Sequence, residues 1–336
     1  MNTRAFGRTG WSVAELGMGC AGVGRGLYRK DDREALATLD RALEAGINFY
    51  DTSSSYSAGD SEQLLGRAFK GRRDRVIIAS KVGMLYPPSI AFALRFKYLL
   101  APIETFLRPV RPLLNRTKYS RKRNDFSPQH IERTLHESLA RLQTDYVDLY
   151  QLHNPPPGDL RRDDLCKPLE RLKAQGTIRA YGISCARAED ALLAMEHPGI
   201  ACVQVPINLL DQEALPQVLP LAQARGVAVI ARVPLAQGLL TDAAHETKAE
   251  QIAVDCGAVL ERKRRAQALR FLATGGRTLP QAALQFVLQL PGVSVVIPGM
   301  ATRRHLEENL RALDAPPLTA EELERVAAIT CCASSS

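Results

Sequence analysis

Short apolar, β-branched runs alternate with stretches of helical periodicity along most of this chain. Eight runs read as strands: Ala14–Met18, Asn48–Asp51, Val76–Ser80, Tyr146–Leu152, Ala180–Ser184, Cys202–Pro206, Ala228–Arg232 and Val293–Ile297. The segments between them carry helix signals. Asp31-Asp32 opens a helix over Arg33–Glu44, with Leu36, Leu39, Ala42 and Leu43 on one face and Gly46 after its end. Ser127-Pro128 supplies a cap and a first-turn proline for Gln129–Leu142, where Ile131, Leu135, Ser138, Leu139 and Leu142 repeat at three and four. Strand and helix in alternation imply βαβ units and a parallel sheet. The stretch Gly17–Gly26 lacks the Gly-x-Gly-x-x-Gly spacing of an open dinucleotide-binding sheet and reads as a pocket-lining loop after the first strand. The expected fold is therefore α/β, one (β/α)8 TIM barrel. Thr3–Val13, with a turn at Gly7–Gly10, reads as a hairpin capping the barrel's bottom.

Composition narrows the class. The 336 residues are 46% hydrophobic and 24% charged, as expected of a globular chain with an ample core. One domain is expected over 1–330, followed by a disordered tail at 331–336. The N-terminus lacks the apolar stretch of a signal peptide, and no long charge-free apolar run occurs, so a cytoplasmic protein is expected. Seven cysteines without a Cys-x-x-Cys pair argue for a reduced setting over a disulfide scaffold. The six histidines have no spacing suited to zinc, and no metal site is expected.

The formal charge of +8 raises the question of nucleic acid, and its distribution answers it. Nine basic residues and two acidic ones lie between Met84 and Asp125, so seven of the eight surplus charges belong to this segment. The rest is nearly neutral. Residues 85–124 form an insertion after the third barrel strand, in which Ile90–Leu100 and Ile103–Leu114 mix apolar clusters with arginines as an amphipathic helix pair does. Several readings stand: a lid over a large substrate, a pocket for an anionic one, a peripheral membrane contact, or a solvated excursion on the barrel rim. Nucleic-acid binding is not expected, since the segment matches no known fold for it. Oligomeric state is not legible.

Candidate chemistry gathers at strand ends. Asp51, Tyr56, Lys81 and His153 each lie just past one of the runs Gly46–Tyr50, Val76–Ser80 and Val147–Leu152. In a barrel such positions converge at one mouth. An acid, a phenol, an amine and an imidazole together form a proton-transfer group.

From about Leu16 to Asn309 the chain resembles the aldo-keto reductases. The resemblance rests on Asn48–Tyr56 (NFYDTSSSY), Ser61–Gly66 (SEQLLG), Ala79–Gly83 (ASKVG), Asp145–Pro155 (DYVDLYQLHNP), Gly182–Ser184 (GIS), Val203-Gln204, Pro234–Leu240 (PLAQGLL), Ile297–Gly299 (IPG) and Glu308-Asn309. It implies NAD(P)H-dependent interconversion of an aldehyde or ketone, such as a sugar or another large carbonyl, with its alcohol. Tyr56 would be the general acid, Lys81 would lower its pKa, Asp51 would hold the lysine, and His153 would hydrogen-bond the carbonyl. Singly, these residues read equally well as a turn cap, a packed aromatic, a surface strand end and a satisfied loop histidine. In family spacing they read as a site. The resemblance also implies a nicotinamide cofactor, with Ser184 and Gln204 on its carboxamide, Gly238 and Leu239 near the pyrophosphate and Asn309 on the adenine. Three positions depart from the family. Cys185 replaces a frequent asparagine, and Arg232 stands where a tyrosine stacks on the nicotinamide. His305 replaces an arginine of the 2′-phosphate site, with Arg303 and Arg304 beside it, so NADP(H) is expected in preference to NAD(H). The alternative is an NADPH-binding barrel serving mainly as a membrane-surface or partner-binding module with little turnover.

Overall fold

The computed structural model describes residues 1–24, 32–85, 123–241 and 256–331. Strands β1 (Thr3–Ala5) and β2 (Ser12–Ala14) form the antiparallel hairpin, turning through Gly7 and Gly10, both at positive φ. Eight parallel strands follow: β3 (Met18–Gly19), β4 (Phe49–Asp51), β5 (Ile77–Val82), β8 (Val147–His153), β9 (Ile178–Ser184), β10 (Cys202–Pro206), β11 (Ala228–Arg232) and β12 (Val293–Ile297). Between β5 and β8 lies a two-stranded antiparallel ribbon, β6 (Met84–Leu85) with β7 (Arg123–Asn124).

The sheet curls until its two edges meet. Leu16 bridges Val296 and Gly19 bridges Gly299, with Gly17 N donating to Val296 O at 2.8 Å and Gly19 N to Pro298 O at 2.9 Å. The seam requires glycine. A Cβ on Gly17 would lie 2.8 Å from the Val295 side chain, and one on Gly19 would lie 2.9 Å from Pro298 O. These two glycines, expected in a pocket loop, therefore serve closure, and the first barrel strand spans Met18–Gly19 in place of the expected Ala14–Met18, whose first residue ends the hairpin.

The helices pack outside. In α1 (Asp32–Glu44) Ala35, Leu39, Ala42 and Leu43 are buried while Leu36 is only partly so. In α2 (Asp60–Ala68) Leu64 and Leu65 face the strands. The expected cap of α3 (Pro128–Leu142) is present, Ser127 accepting from His130 N, and Ile131, Leu135 and Leu142 are buried. Two C-terminal helices matter below: α4 (Arg303–Leu310), which follows β12, and α5 (Ala320–Cys331).

The interior is layered by the pleat. Phe6 of the hairpin plugs the bottom, its ring centroid 5.5 Å from that of Phe49. Phe49, Ala79, Leu149, Ala180, Cys202 and Ile230 belong to the same buried cluster. Strand side chains alternate, so the residues two further on return to the interior one layer higher. Those include Asp51, Lys81, Gln151, Gln204 and Arg232, and another step along β8 and β9 reaches His153 and Ser184. An apolar floor thus carries a polar layer.

The insertion leaves and rejoins at this polar end. Its foot is the β6–β7 ribbon, tied down by Asp125 N to Gly83 O at 2.9 Å and by Asn124 Nδ2 to Asn154 O at 3.1 Å. Gly83, at φ +109, has the Phe126 ring where a Cβ would stand. The expected helices at 90–100 and 103–114 and the tail at 332–336 lie outside the described residues, as do the membrane and lid readings that rest on 86–122.

Candidate active site

Three of the four proton-transfer residues lie within strands: Asp51 as expected from Asn48–Asp51, and Lys81 and His153 on strands that extend beyond the expected Val76–Ser80 and Tyr146–Leu152. Asp51 ends β4, His153 ends β8, and Lys81 is the last but one residue of β5. The ladder sets these ends: Lys81 pairs with Gln151 and Val82 with Leu152, which carries β5 two residues beyond its apolar run. Tyr56 alone sits on a loop. That loop is tightly wound, for Ser57, Ala58 and Gly59 all take left-handed φ values of 51°, 57° and 92°. Left-handed turns are costly for residues other than glycine, so the packing around this switchback must hold it.

The packing comes from an ion pair between a buried carboxylate and an arginine whose side chain is 20% exposed. Arg141 on α3 donates from Nε to Glu62 Oε2 at 2.7 Å, and Glu62 is wholly buried. The other Glu62 oxygen accepts from Ser80 Oγ at 2.6 Å. Arg141 also closes over Gly59, where a Cβ would lie 2.7 Å from its Cδ. One carboxylate thus links the strand bearing Lys81 to the helix that follows the Tyr56 loop. Of these, only the Ser61–Gly66 stretch stood out in sequence, and nothing local marked Arg141. Gly59→Ala is expected to slacken this loop and lower turnover several-fold, since it combines a clash with a φ penalty of roughly 1 kcal/mol. Steady-state rates and a melting curve check it: melting should shift modestly while the rate falls more.

Lys81 is completely buried. Its Nζ donates to Asp51 Oδ2 at 2.6 Å and to Thr52 O at 2.9 Å, and lies 3.4 Å from Tyr56 Oη. Burial opposes its charge, but Asp51 and Tyr56 outweigh that penalty and hold its pKa above the ordinary lysine value. The phenol behaves differently from the expectation. Burial pushes Tyr56 up, Lys81 pulls it down, and burial with the Asp51 charge prevails, leaving its pKa above 10.0. Lys81 therefore moderates the rise without reversing it. His153 lies edge-on to Tyr56, ring centroids 6.1 Å apart at 84°, with Nδ1 3.4 Å from Ser53 Oγ.

The candidate cofactor residues divide into those joined to this centre and those apart from it. Gln204 Nε2 donates to Asp51 Oδ1 at 2.7 Å, and Ser184 Oγ donates to Gln204 Oε1 at 3.1 Å. A continuous chain therefore runs from Ser184 through Gln204, Asp51 and Lys81 to Tyr56. Arg232 donates from Nη2 to Cys185 O at 2.9 Å, while its Nε is buried without a hydrogen-bond partner. Gly238 and Leu239 lie in the loop after β11, but their amides donate to Leu235 O and Ala236 O within it. Arg303 and Arg304 open α4 beyond β12, both exposed, and Arg304 Nε pairs with Glu308 at 3.0 Å. Asn309 is buried in the last turn of α4, Nδ2 to Gly299 O at 3.5 Å. Gln151, not singled out in sequence, lies inside the barrel beside Lys81, its Nε2 without a partner. No described helix is long and apolar enough to cross a membrane.

Residues 15–330 match the sequence profile of the Aldo/keto reductase family. The holo aldo-keto reductase of Bacillus halodurans superposes with a TM-score of 0.76 at 31% identity, covering 98% of this chain and 96% of that one. L-galactose dehydrogenase of Arabidopsis thaliana is 29% identical over 97% of this chain and 93% of its own length. The NADH-specific methylglyoxal reductase of Escherichia coli is 25% identical over 92% of each chain. With the match spanning nearly the whole barrel, the chain belongs to the aldo/keto reductase family of nicotinamide-dependent oxidoreductases.

Proposed function

We propose that this oxidoreductase interconverts an aldehyde or ketone and its alcohol, sugars included, using NADP(H) in preference to NAD(H) and Tyr56 as general acid. The observation that carries this reading is Lys81 Nζ, bonded to Asp51 at 2.6 Å and facing the Tyr56 hydroxyl at 3.4 Å in a buried layer. The residues fit a nicotinamide carboxamide. Gln204 retains one N–H and one lone pair beyond its bonds to Asp51 and Ser184, and the Arg232 Nε is unmatched beside them. When bound, the dinucleotide supplies the hydride.

The chain's own residues do the rest. His153 and Tyr56 converge on a carbonyl oxygen from two sides, and Tyr56 releases its proton to that oxygen as negative charge develops there. Lys81 then faces the phenolate at short range. Asp51 keeps the lysine from turning away. The sign of the pH dependence follows from the raised Tyr56 pKa: the phenol is protonated through neutrality, so reduction stays level there and falls only once pH exceeds the ordinary tyrosine range. Alcohol oxidation needs the phenolate and rises toward the same pH. Rates in both directions from pH 6 to 11 check this, and a reduction limb falling near pH 7 would remove Tyr56 from the role.

Preference for NADP(H) rests on the two α4 arginines. Arg304 already shares its charge with Glu308, whereas Arg303 has no ion-pair partner among the described residues. Replacing both with alanine is expected to weaken NADPH roughly tenfold or more, at about 1.5–3 kcal/mol per charge-assisted hydrogen bond, and to leave NADH nearly unchanged. Fluorescence titration of both nucleotides reads the difference, and equal losses would place the preference elsewhere. The relatives' L-galactose and methylglyoxal suggest small hydroxyaldehydes and dicarbonyls as the first panel for turnover.

A further inference from the structure

We propose that Arg232 makes the site discriminate between the two redox states of its cofactor, holding the reduced nicotinamide more tightly than the oxidised one. The inference rests on the carboxamide reading of Ser184 and Gln204 above. It adds a charge effect that this reading does not contain.

Arg232 ends β11, and its side chain continues the inward series of Ala228 and Ile230. Its Nη2 is fixed on the carbonyl of Cys185, the residue directly after Ser184. The same strand pairs with β10, placing Ile230 beside Gln204. The guanidinium is thus anchored on the residue directly after Ser184, on a strand that neighbours the one bearing Gln204. Whatever ring they hold sits beside a cation.

That charge is not neutralised locally. Among the described residues Arg232 makes no ion pair, and its Nε is buried without a hydrogen-bond partner. Asp51 is shared between Lys81 and Gln204, and Asp211 is taken by both terminal nitrogens of Arg262, at 2.6 and 2.8 Å. Lys81 and Asp51 cancel each other, so Arg232 leaves the polar layer with one net positive charge. Burial draws its pKa below the ordinary arginine value while Tyr56 and the surrounding groups favour the charged form, and a guanidinium does not lose its proton in a protein.

The oxidised nicotinamide ring carries a positive charge and the reduced ring carries none. A fixed cation nearby therefore raises the free energy of one form only. At separations of about 5–6 Å and an effective dielectric near 20, the repulsion suffices to move the ratio of dissociation constants by roughly a hundredfold. An aromatic side chain at this position stacks on either form without that bias. The consequence is directional: bound oxidised cofactor is destabilised against bound reduced cofactor, which favours alcohol oxidation on the enzyme relative to the same reaction in water.

The test is equilibrium binding. Kd is measured for NADPH, NADP+, NADH and NAD+ on the full chain and on R232M, R232Y and R232K, with folding verified by circular dichroism. The wild type is expected to favour the reduced form of each pair by roughly tenfold or more. R232M and R232Y should bring that ratio down by a similar factor, chiefly by tightening the oxidised form, although tyrosine keeps a stacking surface. R232K should keep the ratio even if it weakens both forms. If both redox forms bind and the ratio is unchanged in R232M and R232Y, the inference is overturned while the cofactor reading stands. If the wild type binds no dinucleotide, the cofactor reading falls and this inference with it.

Discussion

Tyr56→Phe is expected to reduce carbonyl turnover by roughly 10²–10⁴-fold, the usual contribution of a positioned general acid. Nucleotide affinity should stay within about a factor of two. The reason lies in how the phenol is placed. Its hydroxyl faces Lys81 Nζ at 3.4 Å and its ring lies edge-on to His153, whereas the candidate carboxamide residues contact Asp51 and each other. Removing one oxygen deletes the proton donor and leaves the remaining network intact. Phenylalanine also relieves the buried hydroxyl's need for a partner, so folding should not suffer. Turnover of a small aldehyde beside a fluorescence titration with NADPH separates the two effects. Retention of more than about a tenth of the rate would remove Tyr56 from the chemistry.

Arg141→Ala is expected to produce the largest loss of stability among these variants, about 3–5 kcal/mol. Glu62 is wholly buried and Arg141 is its only cationic partner among the described residues, at 2.7 Å. Removing the arginine strands a carboxylate whose other oxygen is held only by Ser80. Breaking one side of a buried pair costs far more than the pair contributes against an apolar replacement. The double variant Arg141→Ala with Glu62→Leu should therefore recover part of the loss. Urea midpoints measure both. The single variant should also slow turnover out of proportion to any change in KM, because Arg141 is what closes over Gly59 beneath the Tyr56 loop. A loss below about 1 kcal/mol would mean that Glu62 protonates or finds water.

Much of the barrel was legible because alternation and periodicity are local. The strands Cys202–Pro206, Ala228–Arg232 and Val293–Ile297 were read to the residue. The mouth ends of β5 and β8 run past the expected Ser80 and Leu152, because polar residues there look like loop. Lys81 lies one residue past its apolar run in sequence, and only the ladder with β8 shows the strand continuing through it. Glycines 17 and 19 were misread for a related reason: their partners Val296, Pro298 and Gly299 lie at the far end of the chain.

The order of the elements and the residue types able to perform proton transfer are written in the chain itself. Each of these depends on side-chain chemistry and on spacings of a few residues. How those groups perturb one another depends on the folded arrangement. Gln204 reaches Asp51 across 153 residues, and Arg141 reaches Glu62 across 79. Tyr56 is pushed above its ordinary pKa by burial despite the nearby lysine. Arg232 meets the carbonyl beside Ser184 without a carboxylate to pair with. Charge, desolvation and hydrogen bonding act through space between groups distant in sequence, so their balance is fixed only when the closed barrel brings distant strands together.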